Sequence, residues 1–454
     1  MKKIVLSCIA ILYSISVFSW GVDVEIPSYP SGKTSLVKTN SGMLYCSVPV
    51  GQSGVGGINF YQSTDMGVTW TLHSNPAMGQ NVIKSKLMVT GTDSVYCAYQ
   101  VDTSLFFYSL ASNIVTPFTL MYVDDYDVVA SPNSNSVYLY CDNVNTNAMN
   151  RYSSINGGFT WTGSTALVSS SSTHPRLCME GTRIILNYYN ANSATAVVRA
   201  AIYNETAPGQ LTAGTFQDVI PSGLSHQQYA SVKSGNNVWL IFREGAGLNN
   251  IKYRLSTDGG TSYGAETILV GSVNMNASCF DATHYSDVTG SGIKLVYYTD
   301  SAGLHKRMNY RTASSLLPNL FSAPEIFNDF VTDCINETTY PSIATQGGDV
   351  GVLWLESNSG IPGLYFDLRS YVVGISELDE IDNIKIFPNP MQSILTVEMM
   401  SQGIKNVKVT DISGRLVHSL STNENKVQMD LSFLQSGIYF IGLQNKPGTK
   451  FIKN

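Results

Sequence analysis

The sequence predicts an all-β protein with two folded units behind an export signal. The chain has 454 residues, which is too long for one small core. Only 13% of the residues are charged, and the abundant Tyr, Ser, Thr, Asn and Gly suit short strands with polar turns. A strand–turn–strand pattern recurs until Val373 and then changes. These observations predict a β-propeller of about seven blades, with six as the runner-up, followed by a small β-sandwich.

The first residues have the composition of a signal peptide. Lys2 and Lys3 form a positive segment, and the stretch from Ile4 to Phe18 is mostly apolar. Val17 and Ser19 are small enough for a cleavage site. The apolar stretch is shorter than the ~20 residues that a membrane-spanning helix needs, and no later segment reaches that length. We therefore predict a signal peptide over residues 1–21, passage through the periplasm, and no transmembrane segment.

The repeated unit consists of a short strand, a turn, and a stronger apolar strand that ends in aromatic residues. About seven copies recur at a spacing of ~40 to 60 residues, the period expected for propeller blades. The first strands of the copies are Ser35–Val37, Lys86–Met88, Asp127–Val129, Arg176–Cys178, Ala230–Val232, Cys279–Asp281 and Pro341–Ile343. A third strand follows each pair, and the propeller is expected to span residues 22–374. Val22 to Ile26 is expected to close the ring as the outer strand of the last blade.

Three hairpins of this unit share one signature, with Ser, then Asp or Asn two residues later, then Gly after two more. They are Ser63–Trp70, Ser154–Trp161 and Ser256–Tyr263. The signature resembles the Asp-box (BNR) repeats of the sialidase superfamily. This resemblance implies that Asp65, Asn156 and Asp258 have a structural role, on the face away from an active site. The acidic or amide side chain is expected to bind backbone N–H groups, the Gly to take a positive φ, and the aromatic residue to pack between blades.

The resemblance also suggests a sialidase, but the chain departs from that family's catalytic pattern. The family binds the substrate carboxylate with an arginine cluster, one member of which comes from an Arg-Ile-Pro-type motif in the first blade. Here no arginine precedes Arg151, and Glu25-Ile26-Pro27 occupies the comparable place. Arg243, Arg311 and Arg369 would leave the cluster incomplete. No catalytic residue is therefore assigned.

A ligand site is expected on the face opposite the Asp boxes, where first strands begin and second strands end. Aromatic, amide and charged side chains at these positions suit a hydroxyl-rich ligand. Glu244 paired with Asp300 or Glu356 would suit a glycosidase acid and base. The candidate ligand-binding residues are His174, Arg176, His226, Arg243, Glu244, Asp300, Tyr340 and Glu356.

Charge and ligand spacing argue against several other functions. A formal net charge of −6 does not attract nucleic acid. Asp124, Asp125 and Asp127 lack the Gly and terminal Glu of an EF-hand loop, so a solvated turn is expected there rather than a calcium site. No two cysteines have CxxC spacing, so a zinc site is not predicted. No cofactor is predicted either.

Cysteine positions favour buried thiols over disulfide bonds. Cys46, Cys97 and Cys141 each end an equivalent strand of a different blade. Equivalent strands of neighbouring blades splay apart, so these side chains are expected to serve as small buried apolar groups.

A different strand pattern follows an acidic linker at residues 375–383. FPNP begins at Phe387, DISGRLV at Asp411 and LQSGIYFI at Leu434, and a basic strand ends the chain. This order closely resembles the type A C-terminal sorting domain of type IX secretion in Bacteroidetes. The resemblance implies that residues 384–454 are recognised by the type IX secretion machinery, and that the propeller is secreted or attached to the outer surface.

The sequence therefore predicts an exported, sialidase-like propeller that binds glycans or mediates adhesion. A divergent glycoside hydrolase acting on extracellular glycans is one alternative, and a structural scaffold without a ligand is another.

Overall fold

A computed structural model describes most of the chain, and the residues it covers form strands and turns only. The described residues are 18–51, 56–118, 122–146, 148–168, 172–190, 197–212, 214–220, 229–243, 250–271, 280–287, 290–300, 306–328, 341–358, 361–371, 385–399, 405–412, 415–443 and 449–454. Within these ranges no helix is long and apolar enough to cross a membrane. The chain divides after Tyr371 into two compact units.

The first unit begins with β1 (Phe18–Trp20) and β2 (Val24–Ile26), and antiparallel sheets then follow one another along the chain. Sheet 1 contains β3 (Ser35–Lys38), β4 (Leu44–Val50), β5 (Gly57–Ser63) and β6 (Thr71–Ser74). Sheet 2 contains β7 (Val82–Val89), β8 (Val95–Val101), β9 (Ser104–Ser109) and β10 (Ile114–Pro117). Sheet 3 contains β11 (Val123–Ala130), β12 (Val137–Asn143), β13 (Met149–Ser154) and β14 (Thr162–Val168).

The remaining sheets of this unit have the same plan. Sheet 4 contains β15 (Ser172–Glu180), β16 (Arg183–Asn190), β17 (Val197–Ala207), β18 (Gln210–Leu211) and β19 (Thr215–Ile220). Sheet 5 contains β20 (Tyr229–Ser234), β21 (Asn237–Arg243), β22 (Ile251–Ser256) and β23 (Thr267–Val270). Sheet 6 contains β24 (Phe280–Asp287), β25 (Gly290–Asp300), β26 (Lys306–Ser314) and β27 (Glu325–Ile326). Sheet 7 contains β28 (Ser342–Gln346), β29 (Asp349–Asn358) and β30 (Ile361–Tyr371), together with β1 and β2.

The sheets are arranged as a propeller. Their first strands contact one another in a closed circuit, from β3 through β7, β11, β15, β20 and β24 to β28 and back to β3. An apolar cluster lies between each sheet and the next, and the last cluster joins sheet 7 to sheet 1. Each sheet therefore buries both faces against its neighbours, which explains why second strands such as β8 are buried along nearly their whole length.

Strands from both ends of the unit close the circuit. In sheet 7, Val24 of β2 lies opposite Phe366 of β30, which confirms the prediction that this segment supplies the outer strand. Lys38 forms an ion pair with Asp349 across the junction of sheets 1 and 7. Closure removes the open sheet edges that a linear array would expose.

The cysteines of the described residues are free thiols. Cys46, Cys97 and Cys141 are buried in three different inter-sheet clusters, and Cys178 is also unpaired with another sulfur. The prediction of buried apolar thiols is confirmed for the first three. Burial raises the pKa of each of these thiols well above its usual range, so they are not poised as nucleophiles.

The second unit is a pair of antiparallel sheets that share one apolar core. Its strands are β31 (Lys385–Phe387), β32 (Ile394–Glu398), β33 (Lys405–Asp411), β34 (Leu416–Thr422), β35 (Lys426–Asp430), β36 (Gly437–Leu443) and β37 (Thr449–Lys453). One sheet has the order β31-β32-β35, and the other has the order β34-β33-β36-β37. Val397 and Met429 of the first sheet pack with Val409, Ile441 and Phe451 of the second.

Candidate functional site

One residue from each first strand of the propeller lines a common cavity of about 430 Å³. Each of these residues directly precedes an apolar residue on its strand, so all seven occupy the same position of the repeat. We call this set the inner ring, and its members are Ser35, Lys86, Asp127, Arg176, Ser231, Asp281 and Ser342.

The inner ring holds neighbouring sheets together. The Leu36 N–H donates to Ser342 Oγ at 3.0 Å, and the Leu87 N–H donates to Ser35 Oγ at 3.0 Å. The carboxylate of Asp127 accepts the Leu177 N–H at 2.7 Å in the same way. A ring residue with an acceptor oxygen thus pairs with the backbone of the next sheet, which satisfies a buried donor.

A second layer of residues lies two positions before the inner ring in the sequence. Its described members are Lys33, Lys84, Asp125, His174 and Tyr229, and all except His174 line the cavity. The pairing of β7, β11 and β15 with their partner strands is interrupted at this level by register shifts. Such bulges re-aim side chains, and here they occur on three consecutive sheets beside the cavity.

Ion pairs fix the cavity wall on sheets 2 to 4. Asp125 contacts both Lys84 and Arg176, with 2.7 Å between Arg176 Nη1 and Asp125 Oδ2, and Lys86 pairs with Asp127. Burial alone raises the pKa of Asp125, but the charges of Arg176 and Lys84 outweigh it and hold that pKa well below its usual range. Burial likewise opposes ionisation of Asp127, and Lys86 and Lys84 lower its pKa. Both carboxylates are therefore ionised acceptors at neutral pH.

The part of the wall that contains Lys33 and Asp281 has a different electrostatic character. Burial lowers the pKa of Lys33 to about 8, since the favourable charge of Asp281 is opposed by Arg176, Lys84 and Lys86. Burial also raises the pKa of Asp281, against the charge of Lys33. Asp281 Oδ2 accepts the Ile343 N–H at 3.1 Å, which fixes the orientation of this carboxyl group.

Asp142 supports the part of the cavity wall that lies on sheets 3 and 4. It is 1% exposed and accepts the N–H of Asp125 at 2.5 Å and the N–H of His174 at 3.1 Å. Burial raises the pKa of Asp142 to about 7. His174 has a φ of 57°, a strained value for a residue with a side chain, and its carbonyl accepts the hydroxyl of Tyr229. These bonds hold two adjacent bulges in place.

Of the eight predicted ligand-binding residues, only Arg176 lines the cavity among those that the structure describes. Arg176 lines the cavity, His174 supports it, and Arg243 ends β21 without lining it. Glu356 is fully buried and accepts the Trp354 Nε1–H at 2.8 Å, so it lies in the apolar interior of sheet 7 rather than at the cavity. Asp300 ends β25, and its side chain lies outside the described part of the chain. His226, Glu244 and Tyr340 also lie outside the described residues.

The expectation of a solvated turn around Asp125 and Asp127 is wrong. Both residues belong to β11, and Asp127 is 5% exposed. The acidic sequence resembles a loop, but lysines of the neighbouring sheet neutralise it in the folded chain. Among the described residues no group of His, Cys, Asp and Glu has the geometry of a metal site.

Sequence reasoning missed most of the charged cavity wall. Lys33, Lys84, Lys86 and Asp281 were not among the candidates, although the repeat contains the signal. Aligning the seven first strands on the apolar residue that follows the inner ring places these charges at equivalent positions.

The three hairpins that resemble Asp boxes share a pair of turn hydrogen bonds. In the first, Asp65 Oδ1 accepts the Thr69 N–H at 2.9 Å, and Ser63 Oγ accepts the Gly67 N–H at 2.8 Å. The same two bonds recur around Asn156 and Asp258. The glycines have φ values of 92°, 95° and 93°.

The aromatic residue of these hairpins packs on the preceding sheet. The Trp70 ring lies 5.0 Å from Phe366, and the Trp161 ring lies 4.5 Å from Phe107. None of the three hairpins contributes to the cavity lining. Their described contacts are those of a structural turn.

The C-terminal part of the chain matches a known family. Residues 385–454 match the family model described as "Secretion system C-terminal sorting domain". This part of the chain is a sorting domain. The finding confirms the prediction made from the FPNP, DISGRLV and LQSGIYFI motifs, and it indicates export with outer-surface attachment. The signal peptide and the periplasmic route stay predictions.

Solved structures resemble the chain only distantly. The NanB sialidase of Streptococcus pneumoniae has 13% identity and a TM-score of 0.45, over 77% of this chain and 70% of its own. A protein of unknown function from Dyadobacter fermentans has 13% identity and a TM-score of 0.46, over 78% and 99%. The GH93 α-L-arabinofuranosidase of Fusarium graminearum has 16% identity and a TM-score of 0.43, over 77% and 97%. No curated protein matches the chain. Similarity at this level carries no inference about activity.

Proposed function

We propose that this chain is an exported propeller that binds a saccharide in the cavity bounded by the inner ring. The observation that carries the proposal is the cavity wall of pre-formed ion pairs, in which Asp125 contacts both Lys84 and Arg176. Sugar hydroxyls donate and accept hydrogen bonds, so they match a wall that presents carboxylate acceptors beside cationic donors. The cavity volume of about 430 Å³ lies within the range of small-molecule sites.

The state of these carboxylates favours binding over hydrolysis. Asp125 and Asp127 are held ionised by buried cations, so neither is suited to donate a proton to a glycosidic oxygen. Their side chains are also fixed by ion pairs, which reduces the entropy lost when a ligand binds.

A glycan array and calorimetry with the purified chain test this function. Arg176→Gln removes a charged donor from the wall and is expected to weaken binding of the best saccharide about tenfold or more. Arg199→Gln is the matched control, because Arg199 pairs with Asp218 on a solvent-exposed part of sheet 4. Absence of any saccharide signal for the folded chain, or equal losses in both variants, would contradict the proposal.

A glycoside hydrolase is the second candidate, and one observation favours it. Asp281 has a raised pKa, whereas Asp125 and Asp127 have lowered ones, and such a contrast is the pattern of a general acid beside an ionised carboxylate. A panel of chromogenic glycosides distinguishes the candidates. Turnover that is lost in Asp281→Asn or Glu244→Gln would establish hydrolysis, and binding without turnover would exclude it for that panel.

Export through the sorting domain is tested separately. Deleting residues 385–454 is expected to keep the chain out of the medium and off the surface of a type IX-competent host. Appearance of the truncated chain outside the cell would contradict a sorting role.

A further inference from the structure

We propose that Arg151 is the centre of a second binding site, which takes the sulfate or carboxylate group of a small ligand. The site is a pocket of about 190 Å³ between sheets 3 and 4, lined by Arg151, Ser153, Thr162, Gly163, Gly209 and Leu211. This inference goes beyond saccharide binding in the cavity of the inner ring and does not depend on it, because the two sites share no lining residue.

Arg151 departs from the pattern of the repeat. It stands three residues before the second hairpin that resembles an Asp box, and the residues at this position before the other two hairpins are Phe60 and Tyr253. Both aromatic side chains are buried, and their ring centres lie 4.9 Å from that of Tyr108 and 5.3 Å from that of Phe321, which belong to the next blade. A charge at a position that the repeat otherwise fills with a buried ring indicates a functional role rather than a packing role.

The Arg151 guanidinium lies over the Tyr203 ring of sheet 4, 5.5 Å from the ring centre. Burial raises the pKa of Tyr203 to about 12, against the charge of Arg151, so the phenol stays neutral and does not balance that charge. The contact holds the flat guanidinium by its face and leaves N–H donors at its edge. Donors in this paired arrangement are suited to the oxygens of carboxylates and tetrahedral oxyanions.

The positive charge of Arg151 pairs with no carboxylate among the residues that the structure describes, whereas Arg199 of sheet 4 pairs with Asp218. Glu205 lies on the adjoining β17, but the Tyr138 hydroxyl donates to it at 2.6 Å, and it does not line the pocket. The described lining thus contains one cation and no acidic residue. A pocket with a single sign of charge raises the local concentration of ligands with the opposite sign.

Hydrogen bonds hold the other walls of the pocket in place. The Thr162 hydroxyl donates to the Ser153 carbonyl at 3.2 Å, and Ser153 Oγ lies 3.2 Å from Thr162 Oγ1. The Gly209 N–H donates to Tyr138 Oη at 3.2 Å, which fixes the turn before β18. The pairing of β13 with β14 shifts register between Arg151 and Ser153, and such bulges re-aim side chains. The guanidinium and two hydroxyl groups therefore line a pre-formed pocket.

The size of the pocket limits the ligand. A volume of about 190 Å³ is several times the ~30 Å³ of a water molecule, but it is below the ~300–1,000 Å³ of most small-molecule sites. It suits an anionic group with at most one sugar ring attached. Guanidinium N–H groups donate to the anion, and the hydroxyls of Ser153 and Thr162 can donate or accept, so glucose 6-sulfate and glucuronate are suitable probes.

Calorimetry with the full chain tests the site, and the probes are inorganic sulfate, glucose 6-sulfate, glucuronate and neutral glucose. The three anions are expected to bind more tightly than glucose. Arg151→Phe restores the aromatic residue that the repeat places here, so this variant is expected to fold and to bind each anion about tenfold or more weakly. Arg151→Gln should show the same loss. Arg199→Gln is the matched control, because it removes a paired arginine of sheet 4 and should leave anion binding unchanged.

A second measurement uses the unmutated chain. Phenylglyoxal modifies arginine side chains, and peptide mass spectrometry quantifies the adduct on each one. Glucose 6-sulfate is expected to slow the labelling of Arg151 but not that of Arg199, because only the first guanidinium would be covered by the ligand. This result does not depend on the folding of a variant.

Several outcomes would overturn the proposal: no binding of any anion, undiminished binding in folded Arg151→Phe, equal losses in Arg199→Gln, or equal protection of both arginines from phenylglyoxal. A loss in Arg176→Gln without one in the Arg151 variants would also overturn it, because the anion would then lie in the cavity of the inner ring. Tighter binding of glucose 6-sulfate than of inorganic sulfate would support a sugar-borne anion, and equal binding would support the free ion. A failed glycan array leaves this test intact, since the probes are small anions.

Discussion

Aspartates in two regions of the propeller, a hairpin turn and the cavity wall, have lowered pKa values for different reasons. In the Asp-box hairpin, hydrogen bonds from Ser262 lower the pKa of Asp258 to about 2, and the donors lie within a few residues of it. In the cavity, burial raises the pKa of Asp125, but the charges of Arg176 and Lys84 lower it by more. These two cations come from two other sheets. The first carboxylate is stabilised by its own turn, and the second depends on the assembled ring.

The comparison shows which kind of site a sequence reveals. A turn motif contains its own partners, so its spacing is visible in the chain. A cavity charge finds its partner about 40 to 50 residues away, roughly one blade repeat, and only the fold brings them together. Substitutions in the hairpin turns and in the cavity wall should therefore differ in their effects on stability and on saccharide affinity.

The largest effect is expected from the cavity. Asp125→Asn leaves Lys84 and Arg176 buried without their carboxylate, and such a change costs about 3–5 kcal/mol of unfolding free energy. Urea denaturation of the purified chain measures this loss. Asp218→Asn, which breaks the exposed pair with Arg199, is the control and is expected to cost about 0–1 kcal/mol. Similar losses in both variants would contradict the distinction between the regions.

A smaller but substantial effect is expected in an Asp-box hairpin. Gly67→Ala forces a side chain into a φ of 92° and places its Cβ 1.9 Å from the Phe366 ring, so a loss of roughly 2–4 kcal/mol is expected. Gly79→Ala has a similar φ of 80° but meets no atom within 4 Å, so it isolates the backbone cost. Thermal unfolding compares them. Saccharide affinity should be unchanged in both, and a loss of affinity in Gly67→Ala would show that the hairpins influence the cavity.

A moderate effect is expected from Asp142 as pH changes. Its pKa is raised from 3.8 to about 7, so between these values the folded chain holds a proton that the unfolded chain releases. The contribution of this group to stability is therefore lost as pH rises through that window, by up to about 1.4 kcal/mol per pH unit. In Asp142→Asn this loss is absent, although one backbone N–H loses its acceptor at every pH. Unfolding measured from pH 4 to pH 8 should show the two curves converging or crossing, and parallel curves would refute the assignment.

The smallest effect is expected at Glu356. Glu356→Gln keeps an acceptor for the Trp354 indole and lies away from the cavity, so saccharide affinity should change less than about twofold. Calorimetry with the best array ligand measures this. A large loss of affinity would contradict this placement and show that Glu356 contributes to saccharide binding.

Much of the fold was predictable because its signals are local. Strand pairs such as Leu36 with Cys46 lie close in sequence, and the sorting motifs are contiguous. The cavity was less predictable, since a strand end does not specify where a side chain points. The sequence predicts both Glu356 and Arg176 at strand ends, but Arg176 lies in the middle of β15, and Glu356 shares a strand face with Trp354 and is buried. Lys33 precedes β3 and belongs to no strand, so no periodicity marks it.

The closure of sheet 7 has a kinetic consequence. The Leu36 N–H bonds to Ser342 across 306 positions of sequence, and β2 pairs with β30 over a similar distance. Contacts of such long range are slow to form, because the loop entropy must be lost before any gain. We therefore expect the contacts between sheets 1 and 7 to form late in folding, after the strands of sheet 7 have formed. Until then, sheets 1 and 7 each expose an apolar face, and a chain stopped short of β30 would keep that face open to aggregation.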